Sequence, residues 1–344
     1  VDPRKVLDIS YDDFVEFDSV FDAISGQAYK LTVSDASIAE ALNMVATSPT
    51  NPTLNYNNVS SINILDSTNN ISSNINYLLT MGKKLGAINL TNADVTDNIS
   101  LTYEKYLKGK SILDRINNDY SLEITDAAVY NASSIINNTH LKALSVYGSA
   151  SYISKAWDTL TGLGSKLKTI LNTTIYVDTN VTTKVSTSIG LSISQWLNSS
   201  TLIDKLSTGG SKKFAIFDAS VEDAINIVSD SVQNGMVEDI KVTDTSAVID
   251  NSFDVGNEAS KTLLSNSKVT LINLVDPTIP MNLTFSQINP TDASTNLAVL
   301  AKINNTNFAL NVDYASVANA FTLQSYNSTP ATHVYSSKVQ KISI

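Results

Sequence analysis

Apolar and polar residues alternate in short runs along this chain, and each run gives way to apolar residues spaced three and four apart. Tyr29, Leu31 and Val33 alternate with the period of a half-buried strand, and Ile38, Ala41, Leu42 and Val45 then follow at helical spacing. Ile62-Asn-Ile-Leu-Asp66 writes the same pattern ahead of Ile71, Ile75, Leu78 and Leu79, and Ile88-Asn-Leu90 adds a third strand after Gly86. Upstream, Val6 to Tyr11 reads as a short strand, with Phe14, Phe17, Val20, Phe21 and Ile24 on one helical face behind it. Asp35 and Asp66 close strands and open helices, so each is expected to be an N-cap, accepting hydrogen bonds from unpaired helix amides. Ser48-Pro-Thr-Asn-Pro52 punctuates the end of the first strand–helix pair.

The stretch around Asp35 is written four times. Tyr29-Lys-Leu-Thr-Val-Ser-Asp35-Ala-Ser returns as Tyr120-Ser-Leu-Glu-Ile-Thr-Asp126-Ala-Ala, Lys212-Lys-Phe-Ala-Ile-Phe-Asp218-Ala-Ser and Phe308-Ala-Leu-Asn-Val-Asp-Tyr314-Ala-Ser. With Asp313 as the acid of the last copy, the markers stand 91, 92 and 95 residues apart. The other strands recur with them. Ile99 to Tyr103, Leu191 to Ile193 and Asn282 to Phe285 restart the cycle, and Leu144-Ser-Val146 and Ile240-Lys-Val-Thr-Asp244 match the second strand, with Gly148 replacing the acid in one. A helix around Ile153 to Leu167 is expected to lead to Ile175-Tyr-Val177 as the second unit's third strand, and Leu271-Ile-Asn-Leu274 is that of the third. The units run 1–92, 93–180, 181–276 and 277–344, the last breaking off at its second strand, as in a segment cut from a longer array or completed by a neighbour.

Alternating strands and helices imply right-handed crossovers and a largely parallel sheet. The expected fold is therefore α/β, a tandem-repeat solenoid of about four units of roughly 90 residues with three strand–helix turns each. A string of small α+β domains is the alternative, and the lack of Gly/Ser- or Pro-rich linkers favours the continuous rod. The restart strands are expected to add antiparallel pairs at one edge. The leucine spacing and asparagine ladder of leucine-rich repeats are missing.

Composition narrows the function. The 344 residues are 42% hydrophobic but only 16% charged, and Asn, Ser and Thr supply the polarity. A net charge of −10 without a Lys/Arg cluster argues against nucleic acid and against anionic membranes as partners. No apolar run approaches the ~20 residues of a membrane span. Without cysteine there is no disulfide, thiolate metal site or cysteine nucleophile.

The pattern Tyr-x-Leu-x-Val-x-Asp-Ala, followed by Ile-x-Ile-x-Asp-Ser, resembles the tandem strand–helix repeats of large bacterial type I-secreted surface proteins, adhesins and surface-layer-like proteins. It covers the chain from about Leu7 to Ile344. The resemblance implies an exported, non-enzymatic, structural or adhesive role. The calcium-binding Gly-Gly-x-Gly-x-Asp nonapeptide that accompanies such repeats is absent, so no metal is implied.

Reaction chemistry finds no motif. Gly-x-Ser-x-Gly, His-Glu-x-x-His, P-loop and Gly-x-Gly-x-x-Gly patterns are missing, and Gly162-Leu-Gly164 and Gly209-Gly210 read as turns. The two histidines, His140 and His333, lie in polar loop-like stretches of different units. No catalytic, cofactor-binding or metal-ligating residue is predicted, and no cofactor. The strand-end acids would serve calcium only if stacking gathered several, because the ion takes six to eight oxygens. Asp12 with Asp13, and Glu222 with Asp223, suit helix starts. Asn-x-Ser/Thr recurs from Asn58 to Asn327, so glycosylation stays open. Trp157 and Trp196 are expected in the core rather than on a carbohydrate platform. What remains is an extracellular or cell-surface structural repeat protein, a segment of a surface layer, filament or adhesin stalk. Val6 to Tyr11 and Val339 to Ile344 would pair copies head to tail or laterally. A module binding a cell-surface glycan or host receptor is the alternative.

Overall fold

The computed structural model describes residues 6–23, 29–46, 56–91, 98–173, 188–208, 212–254, 256–288, 294–325 and 338–344. Ser48 to Pro52, Ile175 to Val177, Gly209-Gly210 and His333 lie outside them. The chain forms two compact units. One is Val1–Tyr147 with Gly162–Leu171, the other Gly148–Thr161 with Asn172–Ile344.

The first unit holds two sheets. β1 (Val6–Ser10), β2 (Lys30–Ala36), β3 (Val59–Asp66) and β4 (Leu85–Leu90) lie side by side in chain order. β5 (Asn98–Thr102), β6 (Ser121–Ala128), β7 (Leu141–Gly148) and β8 (Leu167–Asn172) do the same. The second unit contains β9 (Ile189–Ser192), a three-residue β10 (Leu206–Thr208), β11 (Phe214–Ala219), β12 (Val237–Asp244) and β13 (Val269–Leu274), with β9, β11, β12 and β13 adjacent in that order. Its other sheet is β14 (Met281–Thr284), β15 (Leu310–Asp313) and β16 (Val339–Ile342). The fold is thus α/β, with several parallel sheets built from alternating strands and helices. The restart strands depart from expectation: β1, β5, β9 and β14 pair parallel, not antiparallel, with β2, β6, β11 and β15. Each is followed by helix, which returns the chain to the end where it began, and that return makes the next strand parallel.

Local chemistry explains the elements. Ser10, Thr102 and Ser192 end their strands and cap the following helices, each hydroxyl accepting from an amide three residues on. Asp12 and Asp13 fall in a first helical turn, as do Glu222 and Asp223, where the helix dipole favours them. The helix Thr68–Thr80 buries Ile71, Ile75 and Leu78. Behind β1 the helix breaks at Phe17, giving Tyr11–Glu16 and Asp18–Ala23; Phe14 and Phe21 are buried, but Phe17 and Val20 are exposed.

One element differs from expectation. The strand that follows β7 in its sheet is Leu167–Asn172, Ile175 to Val177 lie outside the described residues, and the single helix expected from Ile153 to Leu167 is two, Ala150–Lys155 and Trp157–Leu163. Gly164 takes φ 53 where the α-helix stops and opens the 3₁₀ turn that leads into β8, as Gly82 at φ 57 does before β4. Left-handed backbone costs glycine nothing, and it stops a helix. Leu167 and Ile170 then supply the strand's buried face. No helix among the described residues is long and apolar enough to cross a membrane.

Candidate functional site

The strand-end acids do something other than capping their own helices. Asp35, Asp126 and Asp218 have φ of 61, 55 and 59, and Tyr314 takes φ 59 in the fourth copy, so Tyr314 rather than Asp313 is the equivalent position. In β2, β6 and β11 this residue sits in a bulge, the register slipping between Val33 and Ala36, Ile124 and Ala127, and Ile216 and Ala219. Aspartate tolerates the left-handed conformation better than most residues, which accounts for its presence there. Its side chain is exposed, and Ser37 and Ser220, two residues on, are the N-caps. The extra residue turns the chain so that the serine meets the helix.

The acids that end the second strands act sideways. Asp66 Oδ2 accepts from the amide of Ile38 at 3.0 Å, and Asp244 Oδ2 from Val221 at 3.0 Å. Asp276, two residues past the third strand β13, does likewise: its Oδ1 accepts from Ser246 at 2.5 Å. Each receiving helix is the one that follows the preceding strand, and the amide is that of its first residue, which the helix itself leaves unpaired. Glu40 and Asp223 close capping boxes on the same helices, so three leading amides of each are satisfied. β7 ends in Gly148 instead of an acid, and Ala128 stands where Ser37 and Ser220 stand. After β6 the chain accordingly makes only a short 3₁₀ turn and the four-residue helix Ala132–Ile135, with no side-chain cap.

A second device recurs three times. Five residues after the N-caps Ser67, Ser149 and Thr245 stand Ser72, Ser154 and Asp250. Ser72 Oγ accepts from the amide of Ser100 at 3.0 Å, Ser154 Oγ from Gly190 at 2.8 Å, and the Asp250 carboxylate from Asn282. Ser100, Gly190 and Asn282 each lie two residues before the N-cap that ends β5, β9 or β14. Three residues further along the chain come Ile75, Trp157 and Phe253, all buried. Ile75 packs on Gly109, where an added Cβ would stand 2.6 Å from Ile75 Cγ1. Trp157 Nε1 donates to Ser199 Oγ at 2.8 Å. Gly109 and Ser199 are both seven residues past their own N-caps, so a large side chain meets a small one at the same place. Gln195 closes a capping box with Oε1 and Gln287 Oε1 accepts from the Thr284 amide, and both use Nε2 to reach back, to Asp158 at 2.8 Å and the Phe253 carbonyl at 2.8 Å.

An asparagine clasp adds to these junctions. Ile116 bridges Ile88 beside β4, and Ile303 bridges Ile272 beside β13. Asn118 Oδ1 accepts from the Leu90 amide and Asn305 Oδ1 from Leu274, both at 2.7 Å. Asn117 and Asn304 donate to Asn89 and Asn273 at 3.0 and 3.4 Å. Arg115 holds the Leu85 carbonyl, and Lys302 Nζ those of Leu264 and Asn266 at 2.7 Å each. Burial lowers the pKa of the Lys302 ammonium. The sequence reading missed this clasp, although Arg115-Ile-Asn-Asn and Lys302-Ile-Asn-Asn were its visible signal.

The remaining candidates are dispersed. His140 stacks on Tyr120 with centroids 4.0 Å apart, its Nδ1 3.1 Å from the Tyr120 carbonyl oxygen. Burial, then Asp114 and Tyr106, push the Tyr120 hydroxyl up to about 12. Trp157 and Trp196 are core residues, packed edge-on against Phe214. Among the described residues no three His, Cys, Asp or Glu gather as a metal site. A cleft of about 280 Å³ is lined by Trp196, Leu197, Ile203, Asp204, Gln233 and Met236. Comparison of the chain with protein-family models, with curated proteins and with solved structures finds no match.

Proposed function

We propose that this chain is an extracellular structural repeat protein, a segment or subunit of a cell-surface layer, filament or adhesin stalk. In this reading it is a tandem-repeat solenoid of about four units that assembles through surfaces at its end strands. The observation that carries it is the recurrence of one junction three times, with a side-chain oxygen on the amides of Ser100, Gly190 and Asn282. Such investment in adjoining like elements suits a scaffold, since stacked units gain stability from nearest-neighbour interfaces. β1 and β16 lie at the edges of their sheets, where backbone groups can pair with another chain. The test is negative-stain imaging of the purified protein with and without calcium. Filaments or layers are expected. Dispersed particles at high concentration in both conditions sink the assembly reading.

The cleft beside Trp196 supports a second reading, a binding module for a surface glycan or receptor, because it joins apolar walls to the polar Asp204 and Gln233. Leu197→Asp with Asp204→Asn would then abolish glycan or cell binding without changing assembly. Unchanged binding in that variant removes the reading.

A further inference from the structure

The edge of β1 does not set this end of the array apart, because β5, β9 and β14 also lie at sheet edges. Its face does. Counting from the N-caps Ser10, Thr102 and Ser192, Leu7 is equivalent to Ile99 and Ile189, and Val20 to Ile112 and Leu202. Phe17 is equivalent to Gly109 and Ser199. The helical turns agree: Val20 and Phe21 donate to the Phe17 carbonyl as Leu202 and Ile203 do to that of Ser199. Ile99 and Ile189 are 0% exposed, Ile112 3% and Leu202 5%, whereas Leu7 is 36%, Phe17 44% and Val20 51% exposed. General surface apolarity does not explain this. Val15 is 39% exposed, but so are its equivalents, Leu107 at 47% and Leu197 at 65%. The positions that the junction helix covers elsewhere are bare here.

The bare face also reverses side-chain size at one position. Where Gly109 and Ser199 receive Ile75 and Trp157, Phe17 presents a large ring outward. A mere Cβ at Gly109 would already stand 2.6 Å from Ile75 Cγ1. A junction segment carrying Ile, Trp or Phe at that place, as all three of this chain do, does not fit over Phe17. The knob and the hole have changed sides.

Resting on the array reading above, we propose that the Leu7–Phe17–Val20 face is a docking half-site for one further strand–helix repeat of the same construction. That repeat carries an oxygen-bearing side chain five residues after its N-cap, for the Asp8 amide, and Gly, Ala or Ser eight after it, to admit Phe17. Continuity with the three junctions within the chain defines the partner, and the size reversal keeps this chain's own repeats off the face.

The chain has no cysteine, so one introduced thiol reports burial cleanly. Val20→Cys is labelled with a maleimide in the full chain and in chains extended by a second copy of residues 6–97 placed directly before Val6. With Ile75→Ala in the added copy, labelling is expected to slow at least ~tenfold. With Ile75 kept it stays within about twofold of the unextended chain, and Phe17→Gly restores the slowing. Val15→Cys labels at the same rate throughout. If the Ile75→Ala copy gives no protection, or protects no better than the Ile75 copy, the proposal fails. Protection in the Phe17→Gly chain alone would overturn this half-site and leave the array reading standing. Protection in none would sink both.

Discussion

The Asp66 carboxylate, at the end of one strand, accepts a 3.0 Å hydrogen bond from the amide of Ile38, which opens the helix behind the neighbouring strand. It also takes the Ser67 amide at 2.7 Å and Asn70 Nδ2 at 2.6 Å, and it is only 8% exposed. A buried carboxylate is tolerable when hydrogen bonds fill it, and here the filling ties adjacent strand–helix turns together.

Asp66→Ala is therefore expected to destabilise the first unit by about 2 kcal/mol, the scale of a charged hydrogen bond plus an uncapped amide. Asp66→Asn keeps an acceptor and should cost less. Amide exchange at Ile38 is the local readout in both variants. If that amide stays protected in the alanine variant, the sideways cap is not what holds the helix.

Gly109→Ala would gain about 1 kcal/mol in helix propensity but overpack Ile75, which costs about 1–3 kcal/mol. A net loss is expected in urea unfolding. Combined with Ile75→Ala, the new methyl fills part of the space vacated, so the double variant should lose less than the two singles together. Additive losses would mean that the two residues do not compete for one place.

Tyr314 holds φ 59 while 85% exposed, so its ring contributes little packing to offset the strained backbone. Tyr314→Gly should raise stability by about 1 kcal/mol, read from the denaturation midpoint. A lower midpoint would show that the ring makes an interaction worth more than the strain.

Burial raises the Asp250 pKa; the Asn282 amide opposes the shift, and the charges of Asp254 and Asp313 add to it. Because the folded state then holds this proton more tightly than the unfolded chain, stability falls as pH rises from about 4 through the folded value, and is level beyond. Asp250→Asn keeps an acceptor for Asn282 and removes the titration, so its profile should be flatter over that window. Parallel profiles for the two proteins would rule out Asp250 as the source.

Much of the architecture was legible because it depends on local order. The spacing of Leu31 and Val33, then Ile38 and Ala41, predicts a strand and a helix, and those residues are buried as the period requires. The helix-start acids were equally readable, since a helix dipole and its capping box act within one turn. Gly148 stands out in the sequence as a missing acid, but what it withholds does not, because the sideways cap joins residues 28 apart in the case of Asp66 and Ile38.

Alternation alone would put Asp35 in the core after Leu31 and Val33. The bulge instead buries Ala36 and exposes Asp35. Nor could the sequence rank Phe14, Phe17, Val20 and Phe21, which share one helical face. By itself it determined the alternation of strands and helices and the fourfold return of one motif, since period and N-cap chemistry are written between near neighbours. Only tertiary structure decided that the acids cap sideways, that Ile75 meets Gly109, and that Phe17 is left uncovered. Those outcomes depend on which segments lie adjacent, and adjacency follows from parallel pairing across some 30 residues of intervening chain.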